Sequence, residues 1–228
     1  MIRRAMVLAG LALAASPLES QVGVRIPMAT GDSLVADEYG DGTRAVVLAH
    51  GGRYDRASWR VQARAFAEAG LRVLAIDFRA SVAARAGQQG DCLYDAACLA
   101  DDVLAAVRHL RRTGASTVSV VGASLGGGAA AQAAAVAGPG EIDRVALLAP
   151  MTIDAPEAMG GRKLFIVSRA DTGAGGQPRL PGIREQYERA TEPKALLVLE
   201  GTAHAQSIFA TAQGARLQRE LLDFLLAP

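Results

Sequence analysis

Residues 118–128 read VSVVGASLGGG: a β-branched run stops at Gly122, one serine follows at position 124, and three glycines come after Leu125. Glycine is the costliest ordinary residue to order, so glycines crowded around one hydroxyl imply a backbone path that side chains would block. Gly122-Ala123-Ser124-Leu125-Gly126 has the G-x-S-x-G form of a sharp strand-to-helix turn that lifts a serine above the edge of a sheet. Residues two places to either side would collide there if they carried side chains. The N–H groups after the serine fall at a helix N-terminus, where the dipole favours negative charge, and Leu125 N–H is a candidate donor to an oxyanion. The pattern alone is weak in a chain with 25 glycines, where a glycine-rich turn with a bystander serine reads the same. Its weight comes from the strand before it and the helix after it.

A serine hydroxyl is a poor nucleophile without a base, and the chain has 3 histidines. His109 lies among Arg108, Arg111 and Arg112 on an amphipathic stretch and reads as a surface residue. His50 ends an apolar run well before the serine. His204, in LEGTAHAQSIF, follows the last apolar run, where a loop beyond a strand end can reach Ser124. A histidine base needs an orienting carboxylate. Asp171 follows LFIVSR, and Asp154, which follows VALLAP, is its rival. The order serine, acid, histidine is characteristic of one arrangement of such residues.

These side chains need a scaffold, and the apolar runs supply one in regular order. VGVRIPMA (22–29) and SLVADEYG (33–40), split by a Thr-Gly-Asp turn, predict a hairpin. RAVVLAHG (44–51), LRVLAIDF (71–78), TVSVVG (117–122), VALLAP (145–150), LFIVSR (164–169) and ALLVLEG (195–201) predict strands, several with the continuous apolar character of strands covered on both faces. Between them, 56–69, 99–112, 125–138 and 183–190 predict helices, and ARLQRELLDFLLA closes the chain with another. Alternating strands and helices imply a mostly parallel sheet covered on both sides, and no linker divides it.

Composition narrows the function class. The 228 residues are 50% hydrophobic and carry 24 basic and 23 acidic side chains, a balance with no electrostatic footprint for nucleic acid. The first twenty residues, MIRRAMVLAGLALAASPLES, have the basic start, apolar stretch and small-residue end of a secretory signal; a buried first helix is the alternative. No later run reaches the ~18 apolar residues of a membrane span, so no stable membrane insertion is expected once a signal is removed. Cys92 and Cys98 can bridge in an oxidising compartment, stabilising by about 2 kcal/mol on the chain-entropy model, or remain two thiols. Neither cysteines nor histidines have metal-ligand spacing.

On the motifs VVLAHGG, RVLAIDFR, GASLGG, SRAD and EGTAHAQ, the chain resembles the α/β-hydrolase superfamily from the first hairpin to the final helix. It is similar in particular to small, lidless bacterial hydrolases near the dienelactone-hydrolase group. The best-known members of that group use a cysteine nucleophile; serine stands here, so their lactone substrate does not carry over. The resemblance implies one catalytic domain over 21–228, an α/β fold with a mostly parallel eight-stranded sheet, helices on both faces and no cap domain. It implies Ser124 as nucleophile, His204 as general base, Asp171 as orienting acid (or Asp154), and Gly52 with Leu125 as oxyanion donors. His50 would brace its loop. Arg53, Tyr54, the 79–93 loop and the 172–177 loop would wall an open pocket for a small-molecule substrate. Where family members often read G-x-G-x-S after DFR, this chain has RASVAARAGQQGD, and the cysteines flank the far end of this loop, which would explain a bridge there. The implied activity is hydrolysis of an ester-type acyl bond with no metal or organic cofactor, by a periplasmic or secreted protein of unknown oligomeric state. Peptidase or thioesterase chemistry on the same residues, and a silent binding protein on the same fold, are the alternatives.

Overall fold

The computed structural model describes residues 21–88, 92 and 95–228; the expected signal, 1–20, lies outside them. The predicted hairpin forms from β1 (Val22–Pro27) and β2 (Ser33–Tyr39), antiparallel, with Val24 opposite Ala36. The buried apolar runs become β3 (Arg44–Ala49), β4 (Arg72–Asp77), β5 (Thr117–Ala123), β6 (Arg144–Leu148), β7 (Arg162–Ser168) and β8 (Lys194–Leu199). Around them lie α1 (Arg60–Glu68), α2 (Arg79–Arg85), α3 (Ala96–Arg112), α4 (Leu125–Val136), α5 (Leu180–Arg189) and α6 (Gly214–Leu226).

The eight strands form one sheet in the order β1-β2-β4-β3-β5-β6-β7-β8, antiparallel as far as β4 and parallel from there on. The chain adds β4 on one side of β3 and then β5 on the other. Right-handed crossovers put the helices before and after such a reversal on opposite faces. Open sheets of this kind take ligands in the crevice beyond the strand carboxyl ends at the reversal. Ala49 pairs with Gly122 there, so the backbones leaving β3 and β5 emerge side by side.

Three sequence expectations change. The 79–93 stretch, expected as a loop, begins with α2. RASVAAR has good helix propensity, yet only Ser81 of it is buried, so it lacks the apolar stripe that periodicity detects. Arg79 anchors it: its N–H and Nε bond Asp102 at 2.9 and 2.6 Å, and Nη1 bonds Asp32 at 3.0 Å. Burial pushes the Asp102 carboxyl up and the Arg79 bonds oppose that shift. The helix expected from 56 opens with a 3-10 turn, Arg56–Trp59, capped by the Asp55 carboxylate on Ala57 N–H. Its Trp59 is fully buried, edge-on to Phe209 with ring centres 6.0 Å apart. His109 is half-buried on α3 and not fully at the surface, and burial lowers its pKa.

Between β6 and β7, residues 149–161 contain one 3-10 turn, Pro156–Ala158, and no cap domain. Cys92 and Cys98 are bridged, with their Cα atoms 5.5 Å apart.

Candidate active site

Ser124 sits at the junction of β5 and α4 with φ 53° and ψ −111°, in left-handed territory for a residue with a side chain. Its N–H donates to Leu148 O at 2.8 Å, and its carbonyl accepts from Gly128 N–H and Met151 N–H at 3.0 and 3.1 Å. The neighbouring glycines are explained by what a Cβ would strike. On Gly126 it would meet the carbonyl oxygens of Ala49 and His50; on Gly122, the Gly126 carbonyl and the Ala130 methyl. A Cβ on Gly127 would press on Pro150, and one on Gly128 on Met151, both at 2.9 Å. The small residues of α4 therefore let it lie against both β3 and the segment after β6.

The backbone turn brings three distant side chains together. His204 Nε2 lies 2.8 Å from Ser124 Oγ, and His204 Nδ1 lies 2.7 Å from Asp171 Oδ2. The carboxylate accepts from Nδ1–H, which leaves the Nε2 lone pair facing the serine hydroxyl. Asp171 is 1% exposed whereas the His204 side chain is 33% exposed, so the row runs from the interior to the surface. Asp154 is exposed on the β6–β7 connection, and its carbonyl accepts from Arg189 at 2.6 Å. Of the two candidate acids, Asp171 is the one in contact with His204. Behind it, Arg179 Nε lies 3.7 Å from Asp171 Oδ1, and Arg179 N–H donates to Asp171 O, closing the 172–178 loop at its base. Ser168 Oγ donates to Ala203 O at 2.6 Å and ties β7 to the segment that carries His204.

The loop after β3 lies alongside. His50 is fully buried and bonded at both ring nitrogens: Nδ1–H donates to Gly51 O at 2.9 Å, and Nε2 accepts from Phe78 N–H at 3.4 Å. Burial pushes its pKa down, in keeping with this neutral tautomer. Tyr54 N–H also donates to Gly51 O, at 3.0 Å. Arg56 N–H donates to Asp77 Oδ1 at 2.8 Å, and its guanidinium pairs with Asp77 and, at 3.0 Å, with Asp37. Gly52 and Arg53 are exposed on this turn. Tyr54 is 41% exposed, and its hydroxyl lies 3.2 Å from Ser207 Oγ, across from the His204 segment. Leu125, the first residue of α4, has an N–H with no intrahelical acceptor by position. Cavities of about 430 Å³ (beside Met28, Arg79 and Arg108) and about 560 Å³ (beside Arg144, Lys163 and Glu192) lie elsewhere in the molecule.

Sequence reasoning missed Gln206. Its Oε1 accepts from Gly51 N–H at 2.8 Å, and its Nε2 donates to Ser58 Oγ at 2.9 Å. A lone glutamine has no periodicity or spacing to mark it; only its place two residues after His204 hinted at a role.

The chain belongs to the alpha/beta hydrolase fold family, whose sequence pattern it matches over residues 44–181. A search among curated proteins gives no match. Among solved structures it is similar to a dienelactone hydrolase from Anabaena variabilis, with 22% identity, 92% of this chain and 98% of that chain covered, and a TM-score of 0.77. It is also similar to an esterase from Exiguobacterium antarcticum, with 14% identity, coverage of 90% and 99%, and a TM-score of 0.69. A Pyrococcus furiosus esterase shows 17% identity, coverage of 91% and 92%, and a TM-score of 0.71.

The crowding at the turn generates a stability prediction. Gly126→Ala forces a Cβ against two carbonyls and should destabilise by the ~1–3 kcal/mol of an overpacked site or more, lowering Tm by several degrees. Gly182→Ala, where a Cβ meets nothing within 4 Å inside α5, should leave Tm unchanged or raise it. Thermal melts of the two variants check this, and equal Tm values would contradict the steric account.

Proposed function

We propose that this chain is a serine hydrolase acting on ester-type acyl bonds of small-molecule substrates. The observation that carries this reading is the unbroken contact row Ser124–His204–Asp171. In the proposed mechanism, His204 Nε2 takes the Ser124 hydroxyl proton as Oγ bonds to the substrate carbonyl carbon. The carbonyl electron pair moves onto oxygen, which the Gly52 and Leu125 N–H groups stabilise. The tetrahedral intermediate collapses, the alkoxide leaving group takes the proton from His204, and an acyl-enzyme remains. Water then repeats the sequence, returning Ser124 and a carboxylic acid. Asp171 holds the imidazole in the tautomer this requires. Arg53 and Tyr54 flank the entrance as substrate contacts.

Ser124→Ala should abolish fluorophosphonate labelling and reduce ester turnover by several orders of magnitude, as loss of a nucleophile does. Asp171→Asn should cost about 10⁴ in kcat, whereas Asp154→Asn should leave it near wild type. Hydrolysis of p-nitrophenyl acetate by the three purified variants decides the matter, and the reverse ranking of the two aspartates would move the acid to Asp154. A wild-type chain that takes up no probe would instead be a silent member of the fold.

The short β6–β7 connection supports a preference for short acyl chains. Without a cap, little apolar surface can surround a long chain, and burial is worth only about 25 cal/mol per Å². Across a panel of p-nitrophenyl esters, kcat/KM should be greatest for the shortest acyl groups, with no jump when substrate passes its solubility limit. Long-chain preference with interfacial activation would contradict this.

We further propose export to the periplasm or beyond, directed by residues 1–20. The Cys92–Cys98 bridge supports an oxidising compartment, and no described helix is long and apolar enough to cross a membrane. Protein recovered from an exporting host should begin between Leu13 and Val22, and its two cysteines should alkylate only after reduction. Intact-mass analysis with and without reductant tests both; a full-length mass with free thiols would contradict export.

A further inference from the structure

We propose that Gln206 is a positioning residue that aims the Gly52 N–H at the oxyanion, acting from the same segment that carries His204. This rests on the hydrolase reading above and adds a role for a side chain outside the Ser124–His204–Asp171 row.

Two consecutive peptide planes meet at Gly51. The second contains Gly51 C=O and Gly52 N–H, which point in opposite directions because the peptide is planar and trans. His50 Nδ1–H and Tyr54 N–H both donate to Gly51 O, at 2.9 and 3.0 Å, so the carbonyl end of this plane is held. The first plane contains His50 C=O and Gly51 N–H. The Gly51 N–H is held by Gln206 Oε1 at 2.8 Å. The hinge between the planes is Gly51, a buried residue of the type with the widest backbone freedom. A Cβ there would come within 3.3 Å of the Tyr54 ring and into ordinary contact with Gln206 and the carbonyl of Ala123, next to Ser124. Nothing intrinsic to Gly51 fixes the angle between the planes; hydrogen bonds on both sides do so.

Gln206 is itself braced. Its Nε2 donates to Ser58 Oγ at 2.9 Å, and Ser58 Oγ donates to Asp55 O at 2.6 Å. It is 8% exposed, and Ala205 before it has φ 48°, a left-handed conformation uncommon for a residue with a side chain. One amide thus joins the base-bearing segment to the oxyanion-donor loop. By occupying Gly51 N–H it also leaves Gly52 as the N–H of this pair open to a substrate.

The test measures turnover of p-nitrophenyl acetate per active site titrated with a fluorophosphonate. Gln206→Met keeps the side-chain length and removes both hydrogen bonds. Because an oxyanion donor acts chiefly in the transition state, kcat should fall about 10- to 100-fold while KM changes less than about threefold. Gln206→Glu keeps an acceptor for Gly51 N–H and should recover part of the lost kcat. Ser58→Ala removes only the outer brace and should lower kcat by a smaller factor, about three- to tenfold; it decides the question alone if the methionine variant does not fold. A folded Gln206→Met or Ser58→Ala enzyme with wild-type kcat per titrated site, even with a lowered Tm, would make Gln206 a purely structural tie and overturn the proposal. A wild-type chain that is not labelled at all would overturn the hydrolase reading and this role with it, an outcome separable from the first by the titration itself.

Discussion

Everything at the carboxyl edge of this sheet depends on how closely two backbones approach where β5 turns into α4. The first turn of α4 lies against the carbonyls that end β3, with no room for a Cβ at Gly126. That approach forces Ser124 to φ 53°, and two further residues around the same edge, Ala149 and Ala205, also have positive φ without being glycine. Strain of this kind costs about 1–3 kcal/mol per residue. It persists because β3, β5, β6 and β7 are buried almost throughout: Val46, Leu48, Val120, Val121, Leu147 and Phe165 are all at 0% exposure. Side chains of this size contribute about 1.5–3 kcal/mol each when fully buried, so the core outweighs the strained turns above it.

Polar groups then fix what the close approach brings together. Asp171 lies at the buried end of its row and His204 between it and Ser124, so the carboxylate is held by the interior while a third of the imidazole is exposed. The loop after β3 is held from below by Arg56 on Asp77 and Asp37, from within by His50, and from the side by Gln206. Partly buried ion pairs are weak evidence for stability, since desolvation offsets much of the attraction, yet removing one partner leaves a charge uncompensated. Their effect here is on geometry: the turn that carries Gly52 has few ways to move.

The order of strands decides where all this occurs. The reversal at β3 falls between the ends of β3 and β5, the place where open sheets take ligands, and Gly52, Ser124, Asp171 and His204 follow β3, β5, β7 and β8 in turn. The bridged cysteines lie ahead of and within α3, away from these four positions in the chain.

Much of this was legible in the sequence because the signals were local. The elbow is written in the spacing of Gly122, Ser124 and Gly126: a Cβ on Gly122 strikes the turn itself, at the Gly126 carbonyl, while one on Gly126 strikes the end of β3. The strands are written in short apolar runs, and the serine, acid and histidine follow from which residues come just after those runs. What the sequence left open depended on contacts between distant segments. Asp154 and Asp171 each follow a strand, and only the packed structure puts one of them against His204. RASVAAR buries too little to show a helical stripe, so α2 appears only once Arg79 finds Asp102 and Asp32. His109 is half-buried because of what α3 packs against. Gln206 acquires its partners, Gly51 and Ser58, from about 150 residues earlier in the chain, and a hydrogen bond across that distance leaves no periodic trace in sequence. Periodicity and spacing determined the sheet and the elbow, and with the family resemblance the candidate set; tertiary structure decided which polar groups meet, because a polar side chain takes its role from the partner that folding brings within reach.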